Sequence, residues 1–456
     1  MKLTRRQLVQ SSFASFVISE FPWLAYAQQN SFASDMEPRT PIVFVHGNGD
    51  HAALWITTLW RFETNGYGRE RMLAFNFTDP LARSDDAVEQ KWRSSTEDQL
   101  RELAAAIKAM RERTGASRVA LVANSRGGYA VRNFVQSGGA SQISHAVLCG
   151  VPNRGVFNWE ANPGSEFNGR SPFLRRLNGG ESDVVPGTAI STLRSDGNDK
   201  YAQPDGRFVG RPGTPTEITF EGPELRGATN VVLGPVDHRE TAFHPRAFRE
   251  IYKFIAGREP ETLSVVSEPQ VVLDGLVTGL PGGMPTNRPL SGAAVEIYRV
   301  SPETGERAGA PIHHRVTGED GRWGPASASS TWFLEFTIQA AEHPTTHIYR
   351  SPFPRSSTVV HLRPGPPLGE RDAAAGAVVL MSRPRGYFGI PRDVVLLDGR
   401  EAKGITPGVP TDSTAMLRLP VGENGRPVVA VYNEERIVAR AWPAAENRIT
   451  IAELTY

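Results

Sequence analysis

The run Ala123-Asn124-Ser125-Arg126-Gly127-Gly128 places a serine between the apolar stretch Val119-Ala120-Leu121-Val122 and a helical pattern over residues 129–136. A serine on such a strand-to-helix elbow has its hydroxyl exposed above the sheet edge, and small neighbours let strand and helix approach without a clash. The N–H of Arg126 then opens the helix, where an unpaired amide and the helix dipole stabilise a developing oxyanion. These residue types suit nucleophilic catalysis by Ser125. The bland alternative is an ordinary turn serine, and the position between a strand and a helix favours the nucleophile.

A serine nucleophile needs a base and an acid to orient that base. After Val231-Val232-Leu233 comes Gly234-Pro235-Val236-Asp237-His238, just ahead of a helix, so His238 is the expected base. His244 precedes Pro245 and reads as a capping or packing residue, while His145 precedes its strand and sits at the wrong end of the sheet. The acid is expected in Leu193-Arg194-Ser195-Asp196-Gly197-Asn198-Asp199. Asp199 is favoured, because a loop that leaves its strand and then turns back is the usual placing, and Asp196 stays the alternative. An Asp/Asn/Gly turn accounts for one of the two, and the spacing does not fit an EF-hand calcium loop.

Strands and helices must hold these groups. Ile42-Val43-Phe44-Val45, Met72-Leu73-Ala74-Phe75, Val119-Ala120-Leu121-Val122, Ala146-Val147-Leu148, Ala189-Ile190-Ser191-Thr192 and Val231-Val232-Leu233 are continuous and β-prone, as strands buried on both faces should be. Between them, Leu100, Leu103, Ala104, Ile107 and Met110 recur at helical spacing. Ser95 or Thr96 caps that helix, and Gly115 stops it. A second helix is expected over residues 246–256. The alternation predicts an α/β domain over residues 35–260, with a parallel sheet covered on both sides. A long insertion at 151–187 carries Phe157, Trp159, Phe167 and Phe173. It is expected to form a lid or substrate-binding wall, or else to pack the insertion onto the core.

Past Pro260 the pattern becomes all-β. Strand-like runs are separated by Gly/Pro-rich turns, which predicts a sandwich or barrel. Residues 266–364 read as a β-sandwich of transthyretin-like cadence, and residues 365–456 as a further β domain or its continuation. The 456 residues carry Lys+Arg 50 against Asp+Glu 49, a balance that argues against a nucleic-acid partner. One cysteine, Cys149, excludes an intramolecular disulfide and a Cys-based zinc site. No histidine pair has metal spacing with a carboxylate, so no metal and no cofactor are expected. No apolar run approaches the ~18 residues of a membrane span. Thr4-Arg5-Arg6-Gln7-Leu8, a weakly apolar run and Ala25-Tyr26-Ala27 resemble a twin-arginine export signal over residues 1–27, which implies a periplasmic or secreted protein.

Together, Ala123-Asn124-Ser125-Arg126-Gly127-Gly128, Val45-His46-Gly47-Asn48-Gly49 and Asp237-His238 resemble the α/β-hydrolase lipases of the bacterial class 2 kind, in the variant with Ala before the nucleophile. The match is closer to two-domain microbial long-chain lipases with a β-rich C-terminal domain, which Ala228-Thr229-Asn230-Val231 and His347-Ile348-Tyr349-Arg350-Ser351-Pro352-Phe353 also resemble. The resemblance implies the chain order Ser, Asp, His and a second oxyanion N–H at Asn48. It also implies a lipid or other carboxylester substrate, with the C-terminal domain helping to engage lipid at an interface. His46 is expected to brace the oxyanion loop, and His51, close to that loop, to contact substrate. Some relatives place the acid just after the strand that follows the nucleophile helix. Here Gly150-Val151-Pro152-Asn153 offers no carboxylate, which turns attention to Asp196 and Asp199. The alternatives to a lipase or esterase are a polyhydroxyalkanoate-type polyester depolymerase and a non-catalytic binding or scaffold protein on a hydrolase frame.

Overall fold

The computed structural model describes residues 39–456, so the expected export signal at 1–27 lies outside the described residues. Six parallel strands form the first sheet: β1 (Ile42–Val45), β2 (Met72–Phe75), β3 (Val119–Asn124), β4 (Ile143–Cys149), β5 (Ala189–Ser195) and β6 (Thr229–Leu233), in the order β2-β1-β3-β4-β5-β6. The helices of this part are α1 (Ile56–Thr64), α2 (Thr96–Thr114), α3 (Arg126–Gln136), α4 (Pro172–Leu177), α5 (Glu240–Phe243) and α6 (Pro245–Ala256), and alternate residues of β1 and β3 enter two separate cores. Val43, Val45, Leu121 and Ala123 pack with Leu103, Ile107 and Met110 of α2, whereas Ile42, Phe44, Ala120 and Val122 pack with Phe248, Ile251 and Tyr252 of α6. Helices on both faces explain why these strands are apolar throughout. The Ser95 side chain accepts from Asp98 N–H while Asp98 accepts from Ser95 N–H, and Gly115 at φ 68° ends α2.

The chain leaves β1 outward to β2 and then crosses back to β3, so the order reverses between β1 and β3. Their register pairs Val45 with Ala123. A crevice forms outside the carboxyl ends of strands at such a reversal, and the elbow serine follows β3 there.

The remaining strands are β7 (Gln270–Leu273), β8 (Ala294–Val300), β9 (His313–Val316), β10 (Ala326–Ser329), β11 (Phe333–Gln339), β12 (Thr345–Arg350), β13 (Ala377–Ser382), β14 (Val395–Leu397), β15 (Arg400–Glu401), β16 (Thr414–Leu419), β17 (Pro427–Tyr432), β18 (Glu435–Arg440) and β19 (Arg448–Glu453). They build a mixed seven-stranded sheet, β16-β13-β19-β12-β11-β8-β9, a four-stranded sheet, β15-β14-β17-β18, and the pair β10-β7. The large sheet runs straight through the Gly365-Pro366-Pro367 junction, because β12 and β13 both pair in parallel with β19. Sequence composition cannot register such a link, since the pairing joins residues about a hundred positions apart in the chain. The run at 358–362, strand-like in sequence, makes only an isolated bridge, Val277 with Leu362.

Residues 40–456 form one compact unit. Ala52, Ile56 and Trp60, beside the six-stranded sheet, share a core with Val271, Leu273, Trp323 and Phe353 of the β region. The Trp60 indole N–H donates to Ser356 O at 3.1 Å, and its ring meets Phe353 edge-on. Asn287 donates to Asp50 O and Phe77 O, each at 2.9 Å. Trp60→Ala removes a fully buried ring from this shared core and is expected to lower stability by about 3–5 kcal/mol, read as a lower denaturant midpoint for residues on both sides of the junction.

Candidate active site

Ser125 lies between β3 and α3 (Arg126–Gln136) at φ 51°, ψ −127°, a conformation that costs a non-glycine residue on the order of 1–3 kcal/mol. The surroundings impose it. Ser125 N–H donates to Cys149 O at 3.0 Å, and Gly128 N–H donates to Ser125 O at 2.9 Å. A Cβ on Gly47 would stand 2.9 Å from Ser125 Cβ, and one on Gly127 would stand 2.5 Å from His46 O. Those glycines let the β1 loop, the serine and the first turn of α3 meet.

His238 follows β6, and its Nδ1 lies 2.8 Å from Asp199 Oδ2 on the loop after β5. Both side chains are buried, with 3% exposure each. The second Asp199 oxygen accepts from Tyr201 N–H at 2.8 Å, which turns the carboxylate toward the histidine. Asp196, the alternative acid, is exposed and bonds Asn198 in its own loop. The two loops are tied together by Ser195 Oγ, which donates to Val236 O at 2.7 Å. Asn124 Nδ2 donates to Cys149 O and to His238 O, linking the end of β3 to the histidine loop. The Tyr201 ring packs edge-on against the imidazole, centroids 4.7 Å apart.

Ser125, His238 and Asn48 line one cavity of about 260 Å³. Pro152, Val156, Phe157, Phe167, Phe208 and Val209 make an apolar wall, while Asp50, Tyr201, Arg239 and Tyr387 make a polar one. Asn48 borders the cavity, its Oδ1 accepting Ala82 N–H at 2.7 Å, and Arg126 opens α3 at the elbow. The Arg126 side chain does separate work. Its buried guanidinium grips Glu166 of the insertion, Nη2 to Oε2 at 2.7 Å, and donates to Pro80 O and Ser94. Burial pushes the Glu166 carboxyl up, and the Arg126 charge opposes that shift.

Three expected substrate contacts lie elsewhere. Trp159 stacks behind Phe157 with centroids 4.5 Å apart, Phe173 is buried against Tyr129, and His51 caps the short helix Ala52–Trp55 with its ring against His361. The cover over the site also extends beyond 151–187, because Tyr201, Phe208 and Val209 belong to the β5–β6 connection. That segment has Gly and Pro turns and no periodicity to mark it. His46 accepts from Phe77 N–H at Nε2, and its Nδ1 lies 2.9 Å from Gly47 O. Burial holds its pKa below the ordinary histidine value. His244 caps α6 by accepting from Arg246 N–H. Among the described residues, no group of three or more His, Cys, Asp or Glu side chains can hold a metal, and no helix is long and apolar enough to cross a membrane.

Sequence reasoning missed Tyr201, Arg239 and Tyr387. Tyr201 and Arg239 sit within two residues of Asp199 and His238, and that proximity was the available signal. Tyr387 had none.

Residues 39–155 match the family model described as Lipase (class 2), and residues 269–367 match the one described as Lipase C-terminal domain. The first stretch contains Asn48, Ser125 and Arg126 and ends before Asp199 and His238. Similar solved structures include Aspergillus fumigatus lipase B, with 13% identity, 49% of this chain and 54% of that one covered, and a TM-score of 0.36. Bacillus licheniformis lipase BlEst2 in its propeptide form gives 14% identity, 89% and 94% coverage and a TM-score of 0.36. Phospholipase PlaB from Legionella pneumophila gives 13%, 71%, 94% and 0.31. The chain thus spans about half the length of the Aspergillus lipase. No curated protein matches it.

Lys200, next to Asp199, is half-buried, and burial together with the Arg239 charge pushes its pKa down to about 8. The folded chain therefore binds fewer protons at this group than the unfolded chain between pH ~8 and ~10.4, so stability gains from Lys200 as pH rises through that window. Below it the ammonium is charged in both states, and the burial cost is present in full. In paired denaturation curves, the stability difference between wild type and Lys200→Met is expected to move in favour of wild type from pH ~7 to ~10.

Proposed function

We propose that this class 2 lipase-like α/β-hydrolase with a lipase C-terminal domain, a carboxylic ester hydrolase, works through an acyl-enzyme on Ser125. The observation that carries the reading is that His238, paired with the buried Asp199, lines the same cavity as a serine held at positive φ. With Nδ1 engaged by Asp199, Nε2 is the nitrogen left to take the Ser125 proton. The Ser125 oxygen then bonds the acyl carbon, and the amides of Asn48 and Arg126 stabilise the oxyanion. His238 returns the proton to the leaving alcohol as its C–O bond breaks. Water repeats the sequence, bonding the acyl carbon and giving its proton to His238, which releases the acid and restores Ser125.

The substrate class is a lipid or other carboxylester. The wall of Phe157, Phe167, Phe208 and Val209 suits the acyl group, and about 260 Å³ suits a short rather than a long one. The paired arginines Arg5 and Arg6 and the Ala25-Tyr26-Ala27 stop support export to the periplasm or beyond.

The test is turnover of p-nitrophenyl esters of increasing acyl length by the purified chain. Ser125→Ala and His238→Ala are expected to lower kcat by about 10⁶-fold and Asp199→Asn by about 10⁴-fold. Asp196→Asn should stay near wild type. Turnover is expected to fall as the acyl chain lengthens. Activity that survives in Ser125→Ala sinks the acyl-enzyme, and an equal loss in Asp196→Asn moves the acid.

A further inference from the structure

The Arg383 guanidinium is buried, with 3% exposure, in the turn after β13, yet it bonds the loop that bears His238. Its Nη1 donates to Asp237 Oδ2 at 3.0 Å, and its Nη2 donates to Glu240 Oε1 at 2.6 Å. Asp237 Oδ2 also accepts Tyr387 N–H at 2.7 Å, while Asp237 Oδ1 accepts the N–H groups of Arg239 and Glu240. Glu240 Oε2 in turn accepts Asp237 N–H at 2.7 Å. The backbone on both sides of His238 is thus fixed by two carboxylates, and those carboxylates are fixed by an arginine that lies 146 residues away in the chain.

The same turn reaches the acid loop. Lys200 Nζ, one residue after Asp199, stands 3.9 Å from the Tyr387 ring centroid, and the Arg239 guanidinium lies over the same ring. Arg239 Nη1 donates to Pro384 O at 2.7 Å, and Arg383 Nη1 donates to Tyr387 O at 2.6 Å. Burial and the Glu240 charge push the Asp237 carboxyl up against the pull of Arg383 and Arg392, whereas for Glu240 the two guanidiniums outweigh burial and hold it below its ordinary value. A desolvated set of acids and guanidiniums returns little net stability compared with apolar packing of the same volume. What this set secures is geometry, at the one place where loops from β5 and β6 must hold an acid and a base in register.

We infer that the turn at residues 383–387 is a strut that sets the His238 imidazole against Asp199, with Arg383 as the positioning residue and Tyr387 as the part that touches both loops. The inference rests on the hydrolase reading above. The β region is then part of the catalytic centre rather than an appended module.

The test is steady-state hydrolysis of p-nitrophenyl butyrate by the full chain carrying Arg383→Gln or Arg383→Lys, beside wild type and Ser125→Ala, with the thermal midpoint of each. A misplaced base lowers kcat and leaves ground-state binding alone, so Arg383→Gln is expected to lose about 10²-fold in kcat with KM within about twofold of wild type. Arg383→Lys, which keeps the charge and loses one arm, should recover part of that loss while melting no higher than Arg383→Gln. If Arg383→Gln does not fold, Arg383→Lys is read alone, and a wild-type kcat in it overturns the strut. Two other results overturn it as well: a folded Arg383→Gln with wild-type kcat, or a rise in KM at constant kcat, which would make the turn a pocket wall only. Wild-type turnover that Ser125→Ala abolishes, together with either result, leaves the hydrolase reading standing and removes the strut alone. A wild-type chain that cleaves no ester removes both.

Discussion

A serine at φ 51°, ψ −127° stays there only if its surroundings fix both of its peptide planes, and this requirement shapes the molecule around it. Strand β4 receives the Ser125 N–H through Cys149 O, and the first turn of α3 receives its carbonyl. The β1 loop must come within van der Waals contact, which only Gly47 and Gly127 permit. Strands β1, β3 and β4 are therefore adjacent and in register, and the reversal of strand order between β1 and β3 opens the space into which the serine points. Strands β1 and β3, apolar and buried on both faces, are the rigid support that carries this strain.

The other half of the site has a different physical basis. Asp199 and His238 come from loops, where backbone order must be supplied by side chains. Ser195, Asn124, Asp237 and Glu240 supply it through bonds to main-chain groups, and each bond is buried. Because the interior gives no water to an unpaired group, such a network is firm when every member is satisfied and costly when one is missing. The β region completes it with Arg383 and Arg392. The shared core around Trp60 and Trp323 holds that region against the sheet, so its arginines arrive at a fixed distance.

What could be read from the sequence follows from the range over which each residue acts. Ser125, the β3 run and the capped helix starting at Ser95 are legible because the pattern that identifies them lies within about a dozen residues. His238 is legible from its place after a strand and before a helix. Asp199 and Asp196 sit three residues apart in one turn-rich loop, and their separation depends on the turn that Tyr201 N–H closes, which composition does not encode. Arg383, Glu166 and Tyr387 act across the chain on Asp237, Arg126 and Lys200. Nothing near them in sequence distinguishes them from the other arginines, glutamates and tyrosines. The same limit hides the large β-sheet, whose β12–β19 pairing skips β13 to β18.

Arg126 shows how these ranges combine in one residue. Its amide belongs to the elbow and follows from local geometry, whereas its side chain leaves the elbow and is buried against Glu166, Ser94 and Pro80. The guanidinium thereby ties the insertion that bears Phe157 and Phe167 to the first turn of α3. An insertion held this way is not free to swing from its base, because breaking a buried pair leaves an unpaired charge at a cost of about 3–5 kcal/mol. The turn at Gly206–Val209, which brings Phe208 and Val209 to the cavity, is fastened to that same insertion, because the Trp159 indole N–H donates to Pro215 O at 2.7 Å and Asn158 N–H donates to Thr216 O at 2.9 Å. The two parts of the apolar wall are thus bonded to each other and, through the Arg126–Glu166 pair, to the elbow.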